Sequence, residues 1–292
     1  MATRFELVLH GQDPVRLRAA GEEALAEIER LDAQLSLYRP DSEVSRINRL
    51  GAREPVWVER WLFELVQQAV NVSRATHGAF DITIAPLIRA WGLASGGGRV
   101  PEEPDLSAAR DRVGYHRLIL DEQRSTIAFD RPGVEVDLGA IGKGYAVERA
   151  VESLVENGVS SALIHGGTSS IHAVGSPPDQ AAWRVGIARP EKDKIIRTID
   201  LNDSSLSVSS VSGKSFCAHG QEYGHVLDPR AGCPVSGAAL AAVTGPSATL
   251  CDAVSTALLV LGDAGLPLLS ERFPQYHGFV FPQGEGSGDP AA

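Results

Sequence analysis

Asp252 stands in the segment LCDAVSTALLVLG, residues 250–262, where an otherwise apolar run carries one carboxylate and, four residues on, the hydroxyl of Thr256. At 3.6 residues per turn the two side chains share one face of a helix. Such a pair of oxygens suits a hard cation such as Mg²⁺, which takes oxygen ligands and keeps phosphate or water in its other positions. The competing reading has Thr256 bonded back to the Asp252 carbonyl and Asp252 solvated at the surface. The motif alone leaves both open.

A second concentration of chemistry is VDLGAIGKGYAVERA, residues 136–150. An apolar run ends at Asp137, passes glycines and enters a helix with Lys143 near its start. Unpaired N–H groups at a helix N-terminus together with a lysine make an anion site. The alternative is a tight strand-to-helix turn that needs glycine only for its geometry. It is not a Walker A loop, because Gly144 follows the lysine where that motif has Ser or Thr.

Weaker signals sit in LIHGGTSSIHAVG, where Gly166, Gly167 and Thr168 allow close approach of a ligand to the backbone between two strands. His165 and His172 are expected to pack beside strands and not to hold metal. A serine nucleophile in VSGKS is a poor candidate, and no G-x-S-x-G elbow exists in the chain.

These segments need elements to position them. Alternation at Phe5, Leu7 and Leu9 predicts a strand, and Asp13-Pro14 predicts a capped helix striped by Leu17, Ala24, Ile28, Leu31 and Leu35. A second helix is expected from Glu59 to Thr76. HRLIL, STIAF and VEVDL read as strands, Gly142 to Asn157 as a helix, and SALIH, SSIHAVG, AWRVGIA and IIRTIDL as consecutive strands. The turn signal Asp228-Pro229 with Gly232 puts His225 and Val226 on a strand entering a hairpin. Residues 95–107 are the best linker or surface loop. Strands in succession, without alternating helices, predict an α+β fold with a largely antiparallel sheet. Residues 1–283 are expected to form one domain and 284–292 a frayed tail.

Composition narrows the function. With 292 residues, 43% apolar and 22% charged, the chain is an ordinary globular one. A net charge of −10 with no basic run argues against nucleic acid as a partner. Three scattered cysteines indicate neither a disulfide framework nor a zinc cluster. No secretory leader and no membrane span are read from the sequence, which makes a cytoplasmic location the expectation.

Taken in order, MATRFELVLHG, LSLYRPDSEVSRIN, GAFDITIAPLIRAWG, VDLGAIGKGYAVERA, GHVLDPRAGCPV and CDAVSTALLVLG resemble the ApbE-type FAD:protein FMN transferases. The resemblance implies a two-layer, T-fold-like core and binding of FAD with Mg²⁺. It also implies attack on the pyrophosphate by a Thr or Ser hydroxyl of an acceptor protein, release of AMP, and FMN left attached through a phosphoester bond. Carried over, the metal ligands fall on Asp252, Thr256 and the carbonyl of Ala140. FAD contacts fall on Met1, Tyr38, Ala79, Phe80, Asp81, Asp137, Lys143 and Val226. Lys143 then sits near the phosphates, and Asp137 positions or deprotonates the incoming hydroxyl. Two rivals share the binding residues: an FAD pyrophosphatase, in which water replaces the hydroxyl, and a flavin carrier with no turnover.

Overall fold

The computed structural model describes residues 3–189, 194–211 and 215–282. Met1 and residues 284–292 therefore lie outside the described residues. The centre is a six-stranded sheet, antiparallel at every pairing, of β1 (Phe5–Leu9), β5 (Ala162–Gly166), β6 (Ser170–Val174), β9 (Ser204–Ser210), β14 (Ala238–Gly245) and β15 (His277–Pro282), in that spatial order.

One face of the sheet is covered by three helices. The first, α1 (Pro14–Leu35), starts where the Asp13 carboxylate accepts from Val15 N and Arg16 N at 3.0 and 3.1 Å, and buries Ala24, Ile28, Leu31 and Leu35. Beside it lie α6 (Gly142–Glu156) and α7 (Ala248–Leu261), with α8 (Gly265–Arg272) following. Ala248–Arg272 is long and apolar enough to span a bilayer, with mean hydropathy 1.6. Most of α7 is buried among α6, β9 and β14, and core packing accounts for its composition.

The opposite face is covered by a hairpin of β7 (Trp183–Arg189) and β8 (Lys194–Leu201), which closes on the sheet through Trp183, Ile187 and Leu201 against Ile171, Leu206 and Leu240. A flanking layer holds α2 (Glu43–Leu50), α3 (Arg60–Ala75) and a small sheet of β2 (Val56–Trp57), β4 (Thr126–Phe129) and β3 (Leu118–Asp121). A third cluster joins α4 (Ala85–Ala90) and α5 (Glu103–Arg110) to the ribbons β10 (Ser215–Ala218) with β11 (Gln221–Gly224) and β12 (Leu227–Asp228) with β13 (Cys233–Pro234), around Leu87, Trp91, Leu106 and Leu227. The fold is α+β, as the strand succession predicts.

Three local expectations change. VEVDL pairs with no strand. Asn48 replaces the neighbour, its amide donating to Val136 O at 2.9 Å and accepting from Val136 N at 2.7 Å, while Asp137 N donates to Ile82 O at 2.7 Å. Backbone groups satisfied by a side chain need no ladder, and alternation cannot register that. The stretch 95–107 is partly helical, since α5 begins inside it with a proline in its first turn. His225 and Val226 lie between β11 and β12, not on a strand.

Candidate functional site

At one end of the sheet, between the start of α6 and the Asp252–Thr256 face of α7 on one side and β7 of the hairpin on the other, a cleft of ≈ 730 Å³ opens, floored by Ile171, Leu206 and Leu240. Its walls include Asp252 and Thr256 of α7, Asp137, Ala140 and Lys143 around the start of α6, Ala79–Asp81, Val226, and Thr168 and Ser169 between β5 and β6. Segments far apart in sequence thus converge. Of the residues expected to act together that the structure describes, all but Tyr38 line the cleft. Tyr38 is 71% exposed on the loop between α1 and α2 and is not among the cleft residues, while Met1 lies outside the described residues.

Asp252 is 2% exposed, so the solvated-surface reading does not hold for it. A buried carboxylate needs donors, and it has them. Gly144 N donates to Oδ2 at 3.0 Å, Ser170 and Ser207 hydroxyls donate to Oδ1 at 3.3 Å each, and Lys143 Nζ lies 3.6 Å from Oδ1. One of the N–H groups at the start of α6, where an anion-binding site is expected, is taken from within the protein by Asp252. The helix dipole adds to the same effect.

This contact requires glycine. A Cβ on Gly144 would stand 2.2 Å from Ala248 O and 2.8 Å from Asp252 Cβ. The two helices cap each other, because Glu148 of α6 accepts from Ser247 Oγ at 2.6 Å and from Thr249 N at 2.9 Å at the start of α7.

Gly144 lies in the first turn of α6, where N–H groups have no acceptor within the helix, and Asp252 supplies one; Ala140 stands just before that turn. Among the described residues the Ala140 carbonyl oxygen accepts no hydrogen bond. Thr256 Oγ1 does bond back to Asp252 O at 3.2 Å, as the competing reading had it, and also meets Ser209 Oγ at 3.3 Å. A carboxylate, a hydroxyl with a lone pair to spare and an unbonded carbonyl are all hard oxygen donors, and that donor set fits Mg²⁺. Among the described residues there is no cluster of three or more His, Cys, Asp and Glu side chains, so the set would take its remaining donors from a phosphate or water.

Asp137 is half-buried at the cleft, its Oδ1 accepting from Gly139 N at 2.8 Å. Burial pushes its carboxyl above the ordinary range, with the Gly139 amide, Arg89 and Lys143 pulling the other way. Asp81 is buried too, and burial raises its carboxyl as well. Both its oxygens are committed to the fold, Oδ1 to Thr83 N and Oγ1 at 2.8 and 2.6 Å and Oδ2 to Tyr115 N at 2.7 Å, so it shapes the Ala79–Asp81 wall. His165 and His172 sit in β5 and β6, and His172 Nδ1 meets Ser205 Oγ at 2.8 Å. Of VSGKS, residues 212–214 lie outside the described residues.

Sequence reasoning missed the hydroxyls around Asp252. Ser205, Ser207 and Ser209 alternate along β9; the hydroxyls of Ser207 and Ser209 reach Asp252, Ser255 and Thr256, while the Ser205 hydroxyl meets His172 and its carbonyl accepts from the Cys251 thiol. The signal was present as S-x-S-x-S in SSLSVSS, polar at every second position of a central strand, which a purely apolar core would not use.

Known proteins share this arrangement of chain and fold. A family model described as the ApbE family matches residues 1–279. The protein named FAD:protein FMN transferase from Klebsiella pneumoniae (strain 342) is 33% identical over 239 residues, which take in 79% of this chain and 73% of that protein. The crystal structure of the ApbE protein from Thermotoga maritima matches with a TM-score of 0.89 at 27% identity, covering 97% of this chain and 92% of the other. The apo form of the flavinyl transferase ApbE from Pseudomonas stutzeri matches with a TM-score of 0.82 at 29% identity, covering 97% and 92%.

Proposed function

Since the chain belongs to the ApbE family, we propose that this FAD:protein FMN transferase works in a Mg²⁺-dependent way, moving FMN from FAD to a Thr or Ser hydroxyl of an acceptor protein. The observation that carries the metal-dependent form is the buried Asp252 carboxylate beside Lys143 and the unbonded Ala140 carbonyl, on one wall of the ≈ 730 Å³ cleft. Ala140, Asp252 and Thr256 would hold the cation. Bound there, Mg²⁺ would supply Lewis-acid neutralisation of the charge that builds on the pyrophosphate.

The chain's own residues supply the rest. Lys143 is a compact, flexible cation at the cleft, suited to a phosphate oxygen. Asp137 accepts the proton of the incoming hydroxyl as its oxygen bonds to the FMN phosphorus and the bond to the AMP oxygen breaks. A carboxyl raised by burial is the better base for that step. Ala79, Phe80, Asp81 and Val226 line the cleft and would contact FAD. Tyr38 does not line the cleft, so its exposed ring would stack only on a part of the flavin that reaches beyond the cleft walls.

The test is incubation with FAD, Mg²⁺ and candidate acceptors, following AMP and the acceptor's mass. AMP together with an acceptor heavier by one FMN supports the proposal. AMP without that gain identifies a pyrophosphatase, and bound FAD without AMP identifies a carrier.

A further inference from the structure

We infer that Lys143 is a stand-in cation for Asp252: it neutralises the buried carboxylate in the absence of a divalent ion and gives it up when phosphates offer it another partner. FAD and the cation then bind cooperatively. The inference rests on the reading above that Asp252 is a cation ligand.

The pairing is well placed for exchange. Asp252 is 2% exposed, and among the described residues Lys143 is the only basic group within ion-pair distance of it. The other donors to the carboxylate are neutral: one backbone amide and two serine hydroxyls at 3.3 Å. The ammonium is held loosely. Its contacts are 3.6 Å to Asp252 Oδ1 and 3.4 Å to Gly139 O, both longer than a charge-assisted hydrogen bond, and its side chain keeps 23% exposure at the cleft. A four-carbon stem can swing without moving the helix.

A divalent ion on Asp252 would meet an ammonium a few ångströms away, and repulsion at that range in a partly buried site is strong. The free protein should therefore bind the ion weakly. FAD brings two phosphates into the same cleft and draws the lysine away. By linkage, whatever factor FAD adds to cation affinity the cation adds to FAD affinity.

The experiment measures Mn²⁺ binding by electron paramagnetic resonance on the FAD-free protein, comparing wild type, Lys143→Gln and Asp252→Asn, with melting temperatures to establish folding. Removing a positive charge should tighten Mn²⁺ binding about tenfold or more at the site that Asp252→Asn abolishes. A second arm titrates FAD in EDTA by flavin fluorescence. There Asp252→Asn should bind FAD severalfold more tightly than wild type, because the lysine is released and a negative charge is gone.

Unchanged or weaker Mn²⁺ binding by Lys143→Gln overturns the stand-in role while leaving the metal reading intact, provided Asp252→Asn abolishes the site. Mn²⁺ bound equally well by Asp252→Asn and wild type, with FAD present, overturns both.

Discussion

The amide of Gly144 donates to Asp252 Oδ2 at 3.0 Å across 108 positions of sequence. One hydrogen bond thereby ties α6 to α7 and fixes the orientation of a buried carboxylate, just past the point where the Ala140 carbonyl stands unbonded at the cleft. Structure and proposed chemistry meet at this contact.

Gly144→Ala tests how tightly the two helices must approach. The new methyl would collide with backbone at Ala248, which cannot rotate aside as a side chain can. A loss of about 1–3 kcal/mol in stability is expected from overpacking, measured by chemical denaturation. Asp252-dependent Mn²⁺ binding should weaken as well. A variant as stable as wild type with unaltered Mn²⁺ binding contradicts the close packing.

Asn48→Ala removes both bonds to Val136 and leaves its N–H and carbonyl without partners. Unmade bonds at partly buried groups cost about 1–3 kcal/mol each. Because the same segment carries Asp137, kcat should fall along with the melting temperature. Asn48→Asp keeps the acceptor for Val136 N and should lie between the two. Equal rates for all three would show that this segment does not position the reaction.

Asp137 gives a prediction in pH. Its raised carboxyl must be ionised to accept a proton, so kcat/KM should fall on acidification along a limb lying above the ordinary value of 3.8. Asp137→Asn should remove that limb and slow transfer about 10²–10⁴-fold. The stability effect has the opposite sign. A carboxyl raised by folding stabilises below its unfolded pKa and loses that contribution as pH rises through the raised value, so the asparagine variant should melt at or above the wild-type temperature at pH 7. A clearly lower melting temperature would contradict the burial argument.

Tyr38→Ala separates binding from packing. A ring 71% exposed contributes little to the core, and a stacked flavin would gain about 1 kcal/mol from it beyond area burial. FAD affinity should drop severalfold at unchanged apo stability. Unchanged affinity assigns Tyr38 no part in the site.

Much of this was legible in the sequence because local physics wrote it there. The Asp13-Pro14 cap, the stripe of α1 and the Asp252–Thr256 spacing on α7 are short-range patterns. The burial of Asp252 was not legible, since its partners Gly144, Ser170 and Ser207 come from three other segments and only the fold assembles them. The same holds for VEVDL, where alternation promised a strand and Asn48, 88 positions from Val136, supplied the bonds instead. The serines of β9 were legible in principle, as polar residues at every second position of a strand that proves central.

Metal-assisted transfer requires Asp252 to hold the cation. The most direct measurement is AMP release and FMN gain by the acceptor for Asp252→Asn, at saturating FAD and across a Mg²⁺ titration. If Asp252 is the ligand, FAD still binds while transfer falls by several kcal/mol of lost assistance, roughly a thousandfold or more, with no recovery at high Mg²⁺. Transfer at the wild-type rate with the wild-type Mg²⁺ dependence would contradict that role.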